Sequence, residues 1–161
     1  MNINWQAVFN AEIAWEAIPQ ILEGLPYTLS LSLIGFALGT FCGFFVALLR
    51  MSKITPLRWL AMLHISLMRG IPLMVLLFFI YFGLPFMGIQ LDAISASIIA
   101  FTSMSSAYIS EIIRASLSAI DKGQWEAAKS LGLRTNVIYR KIIIPQAFRI
   151  ALPPLSNVLL D

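Results

Sequence analysis

Long apolar runs separated by short charged intervals set the rhythm of this chain. Gly24 to Leu49 holds 26 residues without a charge and ends at Arg50; a bilayer crossing needs roughly 20. Trp59 to Leu84 is long enough to cross as one helix of about 39 Å. It is interrupted by Arg69, near mid-membrane in that reading, and then by Gly70-Ile71-Pro72. Proline removes a backbone hydrogen bond, so a kink is expected there. A third run opens at Ala93 and stays uncharged until Glu111. A last one begins near Ile150, and the eleven residues to Leu160 are too few to cross. The pattern predicts an all-α, polytopic transmembrane bundle. An interfacial segment covers 1–23, and spans cover 24–49, a kinked 57–84, and 93–117. Cytoplasmic helices occupy 122–145, and 146–161 starts an incomplete span, as in a longer protein truncated at its C-terminus.

Helix ends follow from the same pattern. Pro26 fits a first helical turn. Thr55-Pro56 fits a threonine cap with proline just inside. Gly35, Gly39 and Gly43 recur every four residues and line one face. Small residues at that spacing let a neighbouring helix approach where lipid supplies no hydrophobic drive, so helix packing is the expected role.

Charge gives the chain its direction. Only 12% of residues are charged and 59% are hydrophobic, whereas a soluble domain carries about 25% charged residues. Arg50, Lys53 and Arg58 form a short basic loop, and Lys122, Lys129, Arg134, Arg140, Lys141 and Arg149 cluster beyond Arg114. The loop 83–92 has no Lys or Arg. The positive-inside rule then places both basic stretches in the cytoplasm and the N-terminus outside. Trp5, Phe9, Ile13 and Trp15 alternate with Glu12, Glu16 and Glu23, so 1–23 reads as an outer interfacial segment or as a partly disordered tail.

Catalytic and metal chemistry find no footing. One cysteine, Cys42, and one histidine, His64, exclude a disulfide framework and a Cys/His metal cluster. No phosphate-binding loop, HExxH or GxSxG occurs, and nothing implies a nucleic-acid partner. What remains is a set of polar groups inside apolar helices. Arg69 beside a helix break is a candidate for a translocation pathway, because a charge in the membrane is paired or reaches water. Its alternative is a residue that snorkels to the cytoplasmic surface. Thr102, Ser106 and Ser110 share a face at i+4; they either glue helices together or wet a route for a polar solute. Glu111 and Arg114 stand at i and i+3, where they can pair, and Glu111 has Arg69 as its other possible partner.

The most specific stretch is Gln124 to Pro145. Trp125 to Leu131 favours a helix, Gly132 ends it, and Thr135 or Asn136 can cap a second helix that Pro145 breaks. Ala127 and Ala128 leave room for another surface, so the knob is built to dock. The series Glu126-Ala127-Ala128, three residues, Gly132, nine residues, Ile142-Ile143-Ile144-Pro145 resembles the EAA loop of bacterial ABC importer permeases. Ile144 stands where that family usually has leucine. Arg69-Gly70-Ile71-Pro72, Tyr81-Phe82-Gly83-Leu84-Pro85, Ala107-Tyr108 with Glu111 and Arg114, and Gly123-Gln124 resemble its polar amino acid branch, with Ile71 in place of the usual threonine.

The resemblance implies a type I ABC importer permease in the bacterial inner membrane. Its partners would be cytoplasmic ATP-binding subunits, a second permease subunit (the same or similar), an extracytoplasmic substrate-binding protein and the lipid bilayer. ATP and Mg would sit on the partner ATPase, and this chain would bind no cofactor and catalyse no reaction. Glu126, Ala127, Ala128, Gly132, Ile142 and Pro145 would couple to the ATPase. The alternative is a passive channel or an ion-driven secondary carrier for small polar solutes. That class is marked by ionisable pairs at the bilayer centre and inverted repeats; only Arg69 approaches the first mark, and no repeat is visible.

Overall fold

A computed structural model describes residues 10–160. Trp5 and Phe9, in the expected interfacial segment, and Asp161 lie outside the described residues. Those described form an all-α chain of six helices: α1 Ala11–Arg50, α2 Thr55–Gly70, α3 Leu73–Met87, α4 Ala93–Ser118, α5 Lys122–Ser130 and α6 Thr135–Leu160. Three of them, α1, α4 and α6, are long and apolar enough to cross a membrane, and α2 with α3 qualifies as a broken pair.

Helix α1 is a single helix of 40 residues, about 60 Å of rise. It starts at Ala11, where Asn10 accepts hydrogen bonds from Glu12 and Ile13 N–H groups, so residues 11–23 are continuous with the first apolar run. Pro26, expected in a first turn, lies in the helix interior together with Pro19. Against α4 this helix buries a stripe at i, i+4: Gly35, Gly39, Gly43 and Ala47. A Cβ on Gly35 would stand 2.6 Å from Phe101 Cβ, one on Gly39 would overlap Ser105 Cβ, and one on Gly43 would meet Ser106 O at 2.9 Å. The two backbones approach as closely as missing side chains allow.

The second run breaks more sharply than a kink. Helices α2 and α3 meet at 106°. Proline disfavours the helical region for the residue before it, and Ile71 is extended at φ −104°, ψ 128°, as is Pro72 at φ −59°, ψ 140°. Two extended residues turn a kink into a corner. Helix α2 begins without the threonine cap: Ile54 is the N-cap, and Thr55 lies already in the helix.

Helix α4 is the centre of the packing. It contacts α1, α2, α3 and α6, and its Asp92 cap accepts from Ile94 and Ser95 N–H groups. Ala96 and Ala100 pack with Leu76 and Ile80 of α3 in one core cluster. A second cluster joins Ile120, Ala128, Ile138, Ile143 and Ala147 beneath α5.

Helix α6 runs through Pro145, which was expected to break it, and it leaves no separate short helix before residue 146. Its 26 residues rise about 39 Å, enough to cross the apolar core. A π turn at Tyr139–Ile143, closed by Ile144 N–H donating to Tyr139 O, precedes the proline. The widened turn takes up the strain of the missing N–H, and the helix continues.

Candidate functional site

Two constellations emerge. The first is the knob of α5 and the start of α6. Asp121 caps α5 by accepting from Gly123 N–H at 2.6 Å. At the other end Gly132 adopts φ +72°. Gly132 N–H donates to Lys129 O at 2.9 Å and Leu133 N–H to Ala128 O at 3.2 Å. Those two bonds form the left-handed stop that glycine favours. Trp125 stacks edge-on against Tyr139, ring centroids 4.8 Å apart, and ties α5 to α6.

The knob therefore has an inner and an outer face. Ala128, expected to leave room for a partner, is 2% exposed and belongs to this chain's own core. Ile142 is half-buried beside it, while Glu126, Ala127, Gly132 and Pro145 are exposed. Sequence reasoning missed Leu131, which is 79% exposed and lies four residues after Ala127. That spacing, an apolar residue four after exposed Ala127 on a helix whose inward positions are half-buried Trp125 and buried Ala128, was the available signal. The cap expected at Thr135 or Asn136 does not form; Arg134 is the N-cap residue, without a side-chain bond.

The second constellation gathers where α1 ends. Arg114 Nε donates to Glu111 Oε1 at 3.0 Å and Oε2 at 3.2 Å, and its NH2 group to Oε2 at 2.9 Å. Arg50, read from sequence only as a loop charge, brings its Nε to 3.7 Å from Glu111. Among the described residues Arg69 forms no ion pair; its guanidinium lies over the Tyr108 ring, 5.3 Å from the centroid, a cation–π contact. Tyr108 precedes Glu111 by about 4.5 Å of helix rise, so the Arg69 guanidinium lies about one helical turn from the level of Glu111. Two guanidinium groups, those of Arg114 and Arg50, thus flank one carboxylate. A cleft of about 450 Å³ opens beside them, lined by Arg69, Tyr108, Glu111, Arg114, Ile150 and Pro154 among others.

The hydroxyl face does not join that cleft. Ser106 is 2% exposed; it donates to Ser103 O at 2.7 Å and meets His64 Nε2 at 2.9 Å. Ser110 is buried and donates to Ala107 O at 2.8 Å. Thr102 Oγ1 is buried without a hydrogen-bond partner among the described residues. Ser106 lies against α1 at Gly39 and Gly43 and against α2 through His64. Pairing of Ser106 with His64 across two helices is the glue that hydroxyls supply.

Residues 39–160 match the family of binding-protein-dependent transport system inner membrane components. A probable amino-acid ABC transporter permease of Bacillus subtilis, YckA, is 51% identical over 160 residues, covering 99% of this chain and 71% of that protein. The L-cystine transport system permease TcyB of the same organism is 40% identical, covering 92% and 66%. A crystal structure of an amino acid ABC transporter with histidines superposes with a TM-score of 0.84 at 38% identity, over 99% of this chain and 72% of the solved one.

Proposed function

The chain belongs to the family of inner membrane components of binding-protein-dependent transport systems, and from that premise we propose how it works. It is a membrane-embedded permease subunit of an ATP-driven amino acid importer. The observation that carries the coupling is the two-faced α5 knob. Trp125 and Ala128 root it in the chain, and Gly132 turns it, so Glu126, Ala127 and Leu131 present a rigid outer face. A helix anchored on one side and bare on the other transmits displacement rather than absorbing it. A cytoplasmic ATPase subunit receives that face, and closure of two ATPases around ATP and Mg moves α5, and through Trp125–Tyr139 the start of α6. Two permease subunits enclose the pathway, and an extracytoplasmic binding protein delivers the solute with the N-terminus on its side.

The substrate class is a polar amino acid. Among the described residues Arg69 is the cation at the cleft without an ion pair, since Arg114 and Arg50 already hold Glu111. It is therefore the group that meets a solute carboxylate. The test is co-purification of an ATPase with the full-length protein, wild type against Gly132→Asp. Binding to wild type and loss in the variant, with normal membrane insertion, supports coupling. Failure of any ATPase to associate with wild type overturns it, and flux without ATP would then identify a carrier.

A further inference from the structure

Tyr108 lines the arginine cleft, and neither the coupling face nor the Glu111 ion pairs give it a task. Its ring is what the Arg69 guanidinium meets, 5.3 Å from the centroid. The backbone beneath Arg69 is already fixed. His64 Nε2 lies 2.9 Å from Ser106 Oγ and joins α2 to α4. Met68 and Ile71, on either side of Arg69, pack against the core cluster of α3 and α4. The side chain is another matter. Arg69 is exposed in the last turn of α2, and a long side chain there samples many rotamers, so ordering it has an entropic cost. A carboxylate could order it, but both Glu111 oxygens accept from Arg114, and Arg50 approaches the same group. A carboxylate would also neutralise it. An aromatic face attracts a guanidinium through the ring quadrupole and leaves its charge and its N–H donors free.

We propose that Tyr108 is a positioning residue for solute binding: its ring holds the Arg69 guanidinium in the cleft, ordered and still charged, before a solute carboxylate arrives. This role rests on the reading of Arg69 as the group that meets that carboxylate. The ring does the holding rather than the hydroxyl, because among the described residues no hydrogen bond joins Tyr108 to Arg69 and the contact is with the ring face. A ring without a hydroxyl therefore suffices.

The full-length permease, assembled with its ATPase and a fixed amount of binding protein in proteoliposomes, tests this by ATP hydrolysis against solute concentration. A panel of the common L-amino acids and cystine picks the probe, the one that stimulates hydrolysis most. Stimulation by none would overturn the amino acid reading and the role of Tyr108 with it. Tyr108→Leu should raise the half-saturating concentration about 2- to 5-fold, the size of a partly exposed cation–π contact, with the maximal rate unchanged. Tyr108→Phe keeps the ring face and should restore half-saturation close to wild type. In an Arg69→Gln background Tyr108→Leu should add nothing, since its effect runs through the guanidinium. A rise of equal size in both backgrounds would mean that Tyr108 meets the solute directly, and positioning would be refuted. Lower maximal rate or membrane yield at unchanged half-saturation would make Tyr108 structural. Equal losses in Tyr108→Phe and Tyr108→Leu would overturn the ring in favour of the hydroxyl. Unaltered half-saturation in Arg69→Gln alone would sink the reading of Arg69 itself, a failure distinct from that of Tyr108.

Discussion

Replacing Gly132 separates a backbone requirement from a steric one. Its φ of +72° is the left-handed region, and a Cβ built there meets nothing within 4 Å. Alanine therefore carries only the conformational cost, about 1–2 kcal/mol for an L-residue. That cost opposes the turn which sets the knob, so ATPase affinity should fall about 5- to 30-fold. Asparagine is larger yet tolerates this region better, and Gly132→Asn should bind more tightly than Gly132→Ala. Affinities measured for the ATPase on full-length permease in nanodiscs give the ranking directly. Glycine, then asparagine, then alanine is the expected order. Glycine, then alanine, then asparagine would mean that space on the partner decides, and the backbone argument would fail. Alanine equal to glycine would mean that the docked turn is not left-handed.

Four further outcomes follow from the geometry. Gly39→Ala should lower thermal stability by about 1–3 kcal/mol through overpacking against Ser105, whereas Gly24→Ala, with open space around its Cβ, should be neutral or stabilising by up to about 1 kcal/mol; equal effects in a detergent melt would remove the packing account. Glu111→Gln should cost only about 1 kcal/mol, because Glu111 and its two arginines are each a fifth or more exposed and solvent weakens such pairs; a loss several times larger would show a buried network. Hydrogen bonds from Ser95 hold the Asp92 carboxyl below its ordinary value, so its cap is present above that ordinary value and is lost as pH falls through the lowered one; exchange at the Ile94 and Ser95 amides should rise over that interval in wild type and start high in Asp92→Ala at every pH. Arg69→Lys should raise the solute concentration that half-saturates transport-coupled ATP hydrolysis, since lysine gives up the planar two-point contact; an unchanged concentration dependence with lower expression would make Arg69 structural.

Periodicity made much of this legible. The Gly35–Gly39–Gly43 stripe pointed to close helix contact, and the structure extends it by one turn to Ala47. The spacing of Glu111 and Arg114 allowed an ion pair, and the pair is present. What spacing could not supply was proximity between helices. Arg50 is 61 positions before Glu111 and reaches it only because α1 lies along α4. His64 finds Ser106 by the same route. Nor could composition tell which side of α5 was committed: Ala127 and Ala128 are chemically identical, and one is a surface residue while the other sits in the core.

The prolines carry the sharpest lesson, because one residue type has two outcomes here. At Pro72 the chain breaks, and Ile71 before it is extended. At Pro85 and Pro145 the preceding residues, Leu84 and Ile144, stay helical, each donating its N–H to the carbonyl five residues back. The arrangement is the same in both: a five-residue π turn, one residue, then proline. Both widened turns contain a buried isoleucine, Ile80 in the first and Ile143 in the second, and each isoleucine belongs to a core cluster. Packing keeps those helices continuous, and the extra residue in the turn relieves the clash that proline imposes. At Pro72 the flanking residues Ile71 and Leu73 themselves pack against the Leu76–Ile80–Ala96–Ala100 cluster, so the core holds the bent form. The corner forms where the core packs its two extended sides, and it puts Arg69 at a helix end with its guanidinium over Tyr108.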